Sequence, residues 1–165
     1  MTGVETSGCP RPDGLIEVDT VLDIGAGLRP MGWYKPKRHI CVEPHPPYAE
    51  RLKAAGYEVW CETAASAVGT IKSWGPGSIN AIYLLDVIEH MPRAEGEALL
   101  KVLPWLEAKQ IVVFTPTGFM AQEHDAWGLG GEHWQKHRSG WTPEDFAGWR
   151  ISYPLGASQF MAVSP

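Results

Sequence analysis

The sequence predicts one α/β domain over residues 1–165, built on a single, doubly wound, seven-stranded sheet. Two observations predict this fold. Short apolar, β-branched segments alternate with segments of helical periodicity, and glycines or polar residues follow the apolar segments directly. Because such alternation is typical of βαβ units, we expect most of the strands to be parallel and buried on both faces.

Seven segments are apolar enough to form the strands of this sheet. They cover residues 17–24, 38–44, 57–62, 79–85, 109–116 and two stretches within 150–165 that a turn at 155–158 separates. Helical periodicity predicts helices within 47–55, 65–74 and 93–108, and Pro104 ends or kinks the last of them. A further helix start is predicted at Thr142, which Pro143 follows as the first helical residue.

Composition and charge exclude several classes of protein. The chain is 44% hydrophobic with a net charge of −5, so we expect a globular fold without a nucleic-acid partner. No apolar run approaches the roughly 18 to 20 residues that a membrane span needs. The polar N-terminus lacks the apolar stretch of a signal peptide and reads as a flexible lead-in. The odd cysteine count fits free thiols and a cytoplasmic location.

Glycines and acidic residues gather at the predicted carboxyl ends of the strands. Gly25 and Gly27 follow the first strand, Glu43 ends the second, Glu62 ends the third and Asp86 follows the fourth. Ligands of open parallel sheets bind beyond these ends, and two successive glycines allow the backbone to approach a ligand closely. The sequence therefore predicts a binding site at this edge.

The sequence spacing of the residues at this edge favours a nucleoside cofactor. Glu43 lies twenty residues after Asp23, where an acid can accept hydrogen bonds from both ribose hydroxyls. Gly25 and Gly27 begin a glycine-rich turn, but Pro30 stands where the dinucleotide fingerprint has its third glycine. The proline weakens the case for a nicotinamide-dependent oxidoreductase, which stays open as an alternative together with a non-catalytic cofactor-binding module.

Four segments together resemble the class I S-adenosylmethionine-dependent methyltransferases. They are "VLDIGAG" at 21–27, "CVEP" at 41–44, "LLDVIEHM" at 84–91 and "IVVFTPTG" at 111–118. The resemblance implies a Rossmann-like sheet with an antiparallel last strand and S-adenosylmethionine as cofactor, with S-adenosylhomocysteine as product. It also implies methyl transfer, and we expect an O or N of a small-molecule or glycan-type acceptor to receive the methyl group.

The resemblance also assigns roles to residues of the edge. It implies cofactor contacts for seven residues: Asp23, Gly25, Gly27, Glu43, Glu62, Asp86 and Val87. Asp23 would face the methionine amino end, Glu43 would hold the ribose, and either Glu62 or Thr63 and Ala64 beside it would lie near the adenine. Asp86 and Val87 would line the floor where cofactor and substrate meet. Arg29 replaces a frequent third glycine, and its side chain would cap the pocket, contact the cofactor carboxylate or point to solvent.

Residues 117–141 lack a steady period and form a predicted insertion or lid on the substrate side. Its three tryptophans recur every seven residues, and they either pack the insertion onto the sheet or close over the ligands: Trp127, Trp134 and Trp141. Candidate catalytic residues are His90, His133 and His137, because histidine transfers protons near neutral pH. A structural role for His90 stays open. The spacing of His133 and His137 would also suit a metal, although no metal is predicted.

Overall fold

The computed structural model describes residues 3–165, whose sheet contains seven strands. They are β1 (Thr20–Ile24), β2 (Arg38–Val42), β3 (Glu58–Trp60), β4 (Ala81–Leu85), β5 (Gln110–Pro116), β6 (Arg150–Ser152) and β7 (Gln159–Val163). Their order across the sheet is β3-β2-β1-β4-β5-β7-β6. Strands β1 to β5 pair in parallel, and β7 pairs antiparallel with both β5 and β6. The predicted fold, including its antiparallel last strand, is confirmed.

The strand order fixes where a ligand can bind. From β1 the chain passes through β2 to β3 on one side and then returns to β4 and β5 on the other. The carboxyl ends of β1 and β4 therefore flank the point where the order reverses, with Ile24 paired to Leu84. A crevice opens at such a point because the connections leave the two strands in opposite directions.

Four α-helices and three 3₁₀ turns connect the strands. They are α1 (Pro46–Ala54), α2 (Ala64–Trp74), α3 (Arg93–Val102), α4 (Glu132–Gln135) and the 3₁₀ turns Ile88–His90, Leu103–Leu106 and Pro143–Phe146. Within the described residues, none of the helices is long and apolar enough to cross a membrane.

Alternate residues of the strands face two hydrophobic layers. On one face, Leu22 and Ile82 belong to the cluster that packs against α2 and α3. On the other face, Val21 and Tyr83 pack against the N-terminal segment, in which Cys9 is buried. Burial on both sides explains why the central strands are apolar along their whole length.

Pro104 ends a helix as predicted, whereas two other elements differ from the sequence predictions. The helix from Arg93 ends at Val102 and continues as a 3₁₀ turn, because Pro104 cannot donate a backbone hydrogen bond. The predicted helix after Thr142 is a single 3₁₀ turn, although Thr142 forms the expected capping box. The N-terminal segment is not a loose lead-in: the amide of Glu5 donates to Leu28 and that of Ser7 to Pro30, at 3.1 and 2.7 Å. All three cysteines are free, and Cys61 is exposed.

Candidate functional site

A cavity of about 1330 Å³ opens at the carboxyl ends of β1, β2, β4 and β5. It exceeds the roughly 300 to 1,000 Å³ of typical small-molecule pockets, so it has room for more than one ligand. Five of the seven residues predicted to bind a cofactor line it: Gly25, Gly27, Glu43, Asp86 and Val87. Sequence positions far apart therefore meet at one opening because parallel strands end at the same edge.

The glycine turn after β1 has a backbone that other residues adopt at a cost. Gly25 and Gly27 have φ angles of 66° and 56°, in the left-handed region. A Cβ on Gly25 would lie 2.8 Å from a methyl carbon of Val87, and one on Gly27 would lie 2.6 Å from the ring of Trp127. Both the backbone conformation and the close packing therefore require glycine at these positions.

Glu43 lies at the tip of β2 and stabilises the same turn. Its two carboxylate oxygens accept hydrogen bonds from the amides of Gly27 and His45, both at 2.8 Å. The residue is only 4% exposed, and this burial raises the pKa of Glu43 to about 7 although both hydrogen bonds oppose the change. A carboxylate accepts about four hydrogen bonds, so two remain for a ligand in the cavity.

Asp23 lies behind the glycine turn and does not line the cavity. Its carboxylate accepts a hydrogen bond from the amide of Met31 at 2.7 Å and lies 2.9 Å from Nε2 of His39. These bonds fix the segment that carries Arg29, which does line the cavity. In the structure Asp23 thus supports the loop, and its predicted contact with a cofactor stays a prediction.

The region after β3 contributes small residues to the cavity wall. Thr63 and Ala64 line the cavity, whereas Glu62 does not and instead accepts a hydrogen bond from Ser66. Thr63 is the N-cap of α2, and its hydroxyl oxygen accepts a hydrogen bond from the Ser66 amide. Of the residues that the sequence placed near an adenine, Thr63 and Ala64 are thus the ones at the cavity.

Asp86 follows β4 with a φ of 56°, which an aspartate tolerates better than most residues. Its amide donates to the carbonyl of Phe114 at 2.8 Å, and Asp86 lines the cavity. Asp86 is an exposed residue of the cavity, but the protein around its carboxyl group desolvates it and thereby raises the pKa of Asp86. The positive charge of Arg29 acts in the opposite direction, so the cavity offers a carboxyl group and a cation close together.

The insertion is folded around Asp125. One carboxylate oxygen accepts a 2.5 Å hydrogen bond from the Tyr48 hydroxyl, and the amides of Trp127, Leu129 and Gly131 also donate to this carboxylate. These hydrogen bonds outweigh the burial of Asp125 and lower its pKa to about 2. The network ties the insertion to α1 and makes it one wall of the cavity.

Sequence reasoning missed three residues of this network: Tyr48, Asp125 and Gln135. The side-chain amide of Gln135 donates to both the Tyr48 hydroxyl and the Asp125 carboxylate, at 2.7 and 2.9 Å. Tyr48 lies in the helix predicted within 47–55, and helical periodicity gives no sign of a partner for its hydroxyl group. An aspartate that precedes a glycine-rich stretch was the available signal, because such residues often bond to backbone amides that follow.

The three tryptophans of the insertion have different environments. Trp127 lies against Gly27 and makes an edge contact with Tyr48 at 5.0 Å between ring centroids. Trp134 is exposed and lines the cavity, while Trp141 is buried beneath Arg93 in the main core. Trp141 therefore packs the insertion onto the sheet, and the lid hypothesis applies only to Trp127 and Trp134.

The candidate catalytic histidines separate into a pair and a single residue. The rings of His90 and His137 make an edge contact at 4.7 Å, and both line the cavity. His133 is an exposed cavity residue whose ring contacts Trp134. Burial lowers the pKa of His90 to about 4, and the neighbouring His137 contributes to this shift. His90 is thus a neutral imidazole at pH 7.

Glu89 joins the histidine pair and was not predicted as a site residue. It is buried after β4, lines the cavity and accepts a hydrogen bond from the Thr115 hydroxyl at 3.0 Å. Burial, together with the negative charge of Asp86, raises the pKa of Glu89. A buried acid beside two neutral imidazoles is a cluster of groups with shifted pKa values in a cavity, and such clusters often mark functional sites.

No known protein-family model matches the sequence, and no curated protein matches it. Solved structures do match. An S-adenosylmethionine-dependent methyltransferase from Archaeoglobus fulgidus is 13% identical, with a TM-score of 0.59 over 88% of this chain and 85% of that one. The DhpI–SAH complex is 13% identical, with a TM-score of 0.56 over 88% and 76% of the two chains. The chain therefore has the fold of the class I S-adenosylmethionine-dependent methyltransferases.

Proposed function

We propose that the protein is a methyltransferase that moves a methyl group from S-adenosylmethionine to an O or N of a small-molecule or glycan-type acceptor. The observation that carries the proposal is the position of Glu43, which lines the cavity at the tip of β2 while it accepts a hydrogen bond from the glycine turn. Structures of DhpI with SAH and with SAM, which share this fold, support the choice of cofactor.

The cavity residues fit the parts of this cofactor. Glu43 has two free acceptor positions for ribose hydroxyls. Thr63 and Ala64 line the cavity with small side chains, which leave room for the adenine ring. Arg29 and Asp86 carry the opposite charges that the carboxylate and ammonium groups of methionine require. The glycine turn leaves no Cβ between its backbone and a ligand.

When bound, the cofactor supplies a methyl group that its sulfonium already activates. The protein must then align an acceptor with that group and keep water away. The insertion supplies the wall for this purpose, because Trp127 lies over the glycine turn and the Tyr48–Asp125 bond holds the segment against α1. The size of the cavity leaves space for the acceptor beside the cofactor.

His90 and His137 are the groups best suited to receive a proton from the acceptor. Burial lowers the pKa of both, so each is a neutral imidazole near pH 7. Nδ1 of His137 lies 2.6 Å from the carbonyl oxygen of Met120. When Nδ1 carries the proton and donates a hydrogen bond to this oxygen, Nε2 has a free lone pair. His133 lies at the exposed rim, where we propose that it contacts the acceptor rather than the transferred proton.

Calorimetric titration with four ligands tests the proposal: S-adenosylmethionine, S-adenosylhomocysteine, NAD⁺ and NADH. We expect one site per chain for each of the first two ligands and no heat from the nicotinamide dinucleotides. Binding of NADH alone would support the oxidoreductase alternative. Absence of binding by both sulfur-containing ligands, in protein that circular dichroism shows to be folded, would contradict the proposed cofactor.

A further inference from the structure

Glu89, His90 and His137 form a compact group of metal-ligand types on the cavity floor. One potential ligand atom from each residue lies within 4.8 Å of the corresponding atoms of the other two. Ligand atoms about 2.1 Å from a tetrahedral metal are about 3.4 Å apart, so side-chain movements of about 1 Å would complete the site. All three residues also line the cavity, which leaves a side open to a further ligand.

Backbone hydrogen bonds hold the three residues together from two distant parts of the chain. The carbonyl of Glu89 accepts hydrogen bonds from the amides of Arg138 and Ser139, at 2.7 and 3.1 Å. The Arg138 guanidinium also donates to the carbonyl of His90, at 3.0 Å. These bonds dock the segment after α4 onto the 3₁₀ turn Ile88–His90 and bring His137 beside Glu89.

Outer hydrogen bonds orient the potential ligands as metal sites require. The Thr115 hydroxyl holds one oxygen of Glu89, and the Met120 carbonyl lies 2.6 Å from Nδ1 of His137. A proton on that Nδ1 directs the bare Nε2 lone pair away from Met120. Nδ1 of His90 is buried without a hydrogen-bond partner, which leaves a buried polar atom that a ligand would satisfy.

We propose that Glu89, His90 and His137 bind a divalent transition-metal ion, with an open coordination position toward the cavity. Two imidazoles and one carboxylate suit Zn²⁺ and its neighbours in the first transition row better than Mg²⁺, which prefers oxygen ligands and bound water. On the proposed function, the open position would hold an oxygen or nitrogen of the methyl acceptor, and with metal bound His90 and His137 would hold the ion instead of receiving the acceptor's proton. Metal binding itself does not depend on that function.

The test uses the full chain without a histidine tag, treated with a chelator and then titrated with Co²⁺ and Zn²⁺. We expect one Co²⁺ per chain, with visible absorption bands that Zn²⁺ abolishes, and a higher Tm with metal. His137→Gln and Glu89→Gln should each weaken metal binding at least tenfold, as the loss of one of three ligands predicts. His124→Gln is the matched control, since His124 is an exposed histidine of the same insertion outside the cavity lining.

Two results would overturn the inference: no stoichiometric metal binding by the folded wild-type chain, or equal binding by the wild type and His137→Gln. Glu89→Gln keeps the shape of the side chain, so a folded variant is expected even though Glu89 is buried. Titration of the metal-free chain with S-adenosylhomocysteine separates the two proposals. Binding of that ligand without metal binding contradicts only the metal site, and metal binding without that ligand contradicts only the cofactor.

Discussion

The Tyr48 hydroxyl and the Asp125 carboxylate lie 2.5 Å apart, and their hydrogen bond joins α1 to the insertion. Asp125 also accepts hydrogen bonds from three backbone amides of the insertion. One side chain therefore stabilises the conformation of this segment and attaches it to α1. Because Trp127 belongs to the same segment and covers Gly27, the bond positions the wall that closes the cavity.

We expect Tyr48→Phe to lower the free energy of unfolding by about 1 to 2 kcal/mol, since Asp125 loses a charged hydrogen bond but keeps its backbone donors. Urea denaturation measures the change. Amide hydrogen exchange should also become faster in residues 122–137 than in the sheet. Tyr153→Phe, at a half-exposed tyrosine outside the cavity, is the control. Equal stability and exchange in the two variants would show that the Tyr48 hydroxyl does not hold the insertion.

Gly27→Ala should destabilise the turn in two separable ways. The φ of 56° costs about 1 to 2 kcal/mol for a residue with a Cβ, and contact with Trp127 adds to this cost. A double-mutant cycle with Trp127→Ala should recover the second part only. Gly128→Ala is the control, because Gly128 has a φ of 65° and open space around its Cβ position. A cycle without coupling would mean that Trp127 does not rest on the turn in solution.

The features of the site that follow strands directly could be predicted from sequence. Gly25, Gly27, Glu43 and Asp86 each stand within a few residues of an apolar strand, and the fold brings all strand ends to one edge. Thr63 and Ala64, the alternative to Glu62 near the adenine, line the cavity for the same reason. Asp23 and Glu62 also stand near strand ends but lie outside the cavity lining. Position near a strand end does not show whether a side chain faces the cavity, so the sequence could not separate these two residues from the others.

Pairs that join distant segments could not be predicted, because no local pattern encodes them. Tyr48 and Asp125 are 77 positions apart, and the amide of Arg138 meets the carbonyl of Glu89 across the insertion. The position of His137 depends on how an irregular segment crosses the sheet edge. Trp141 matched a regular spacing with two other tryptophans, yet burial in the core separates it from them.

The contribution of Glu43 to stability should fall as pH rises from 5 to 8, whereas the lowered pKa values of His90 and His137 act in the opposite direction below about pH 6.5. The pKa of Glu43 is about 7 in the folded chain against an ordinary value of 4.5, so the folded state retains a proton that the unfolded state has released. Stability from this group is complete below pH 4.5 and is lost through pH 7, by roughly 3 kcal/mol. Burial also raises the pKa of Asp86 and Glu89, so these two groups contribute to stability with the same pH dependence as Glu43.

Urea denaturation at several pH values checks this dependence. Glu43→Gln should have a shallower fall in stability between pH 5 and 8 than the wild type, because glutamine does not titrate. Glu50→Gln, at an exposed position of α1, should retain the wild-type slope. The same slope in all three proteins would contradict the raised pKa of Glu43.

Arg29→Ala should weaken binding of S-adenosylhomocysteine about tenfold, which corresponds to about 1.4 kcal/mol. The expected reason is loss of the cation that faces the methionine carboxylate. Adenosine, which lacks the methionine part, should bind the variant and the wild type within a factor of two. Calorimetry with both ligands measures the difference, and equal losses for the two ligands would exclude this role for Arg29.

The measurement that tests the central claim most directly is the affinity of the wild type, Glu43→Gln and Glu50→Gln for S-adenosylhomocysteine. The methyltransferase assignment requires a ribose held by the Glu43 carboxylate. We expect binding by the wild type, the same affinity for Glu50→Gln and at least tenfold weaker binding by Glu43→Gln, with each protein folded by circular dichroism. No binding to the wild type, or equal affinity in all three proteins, would contradict the assignment of this cavity to the cofactor.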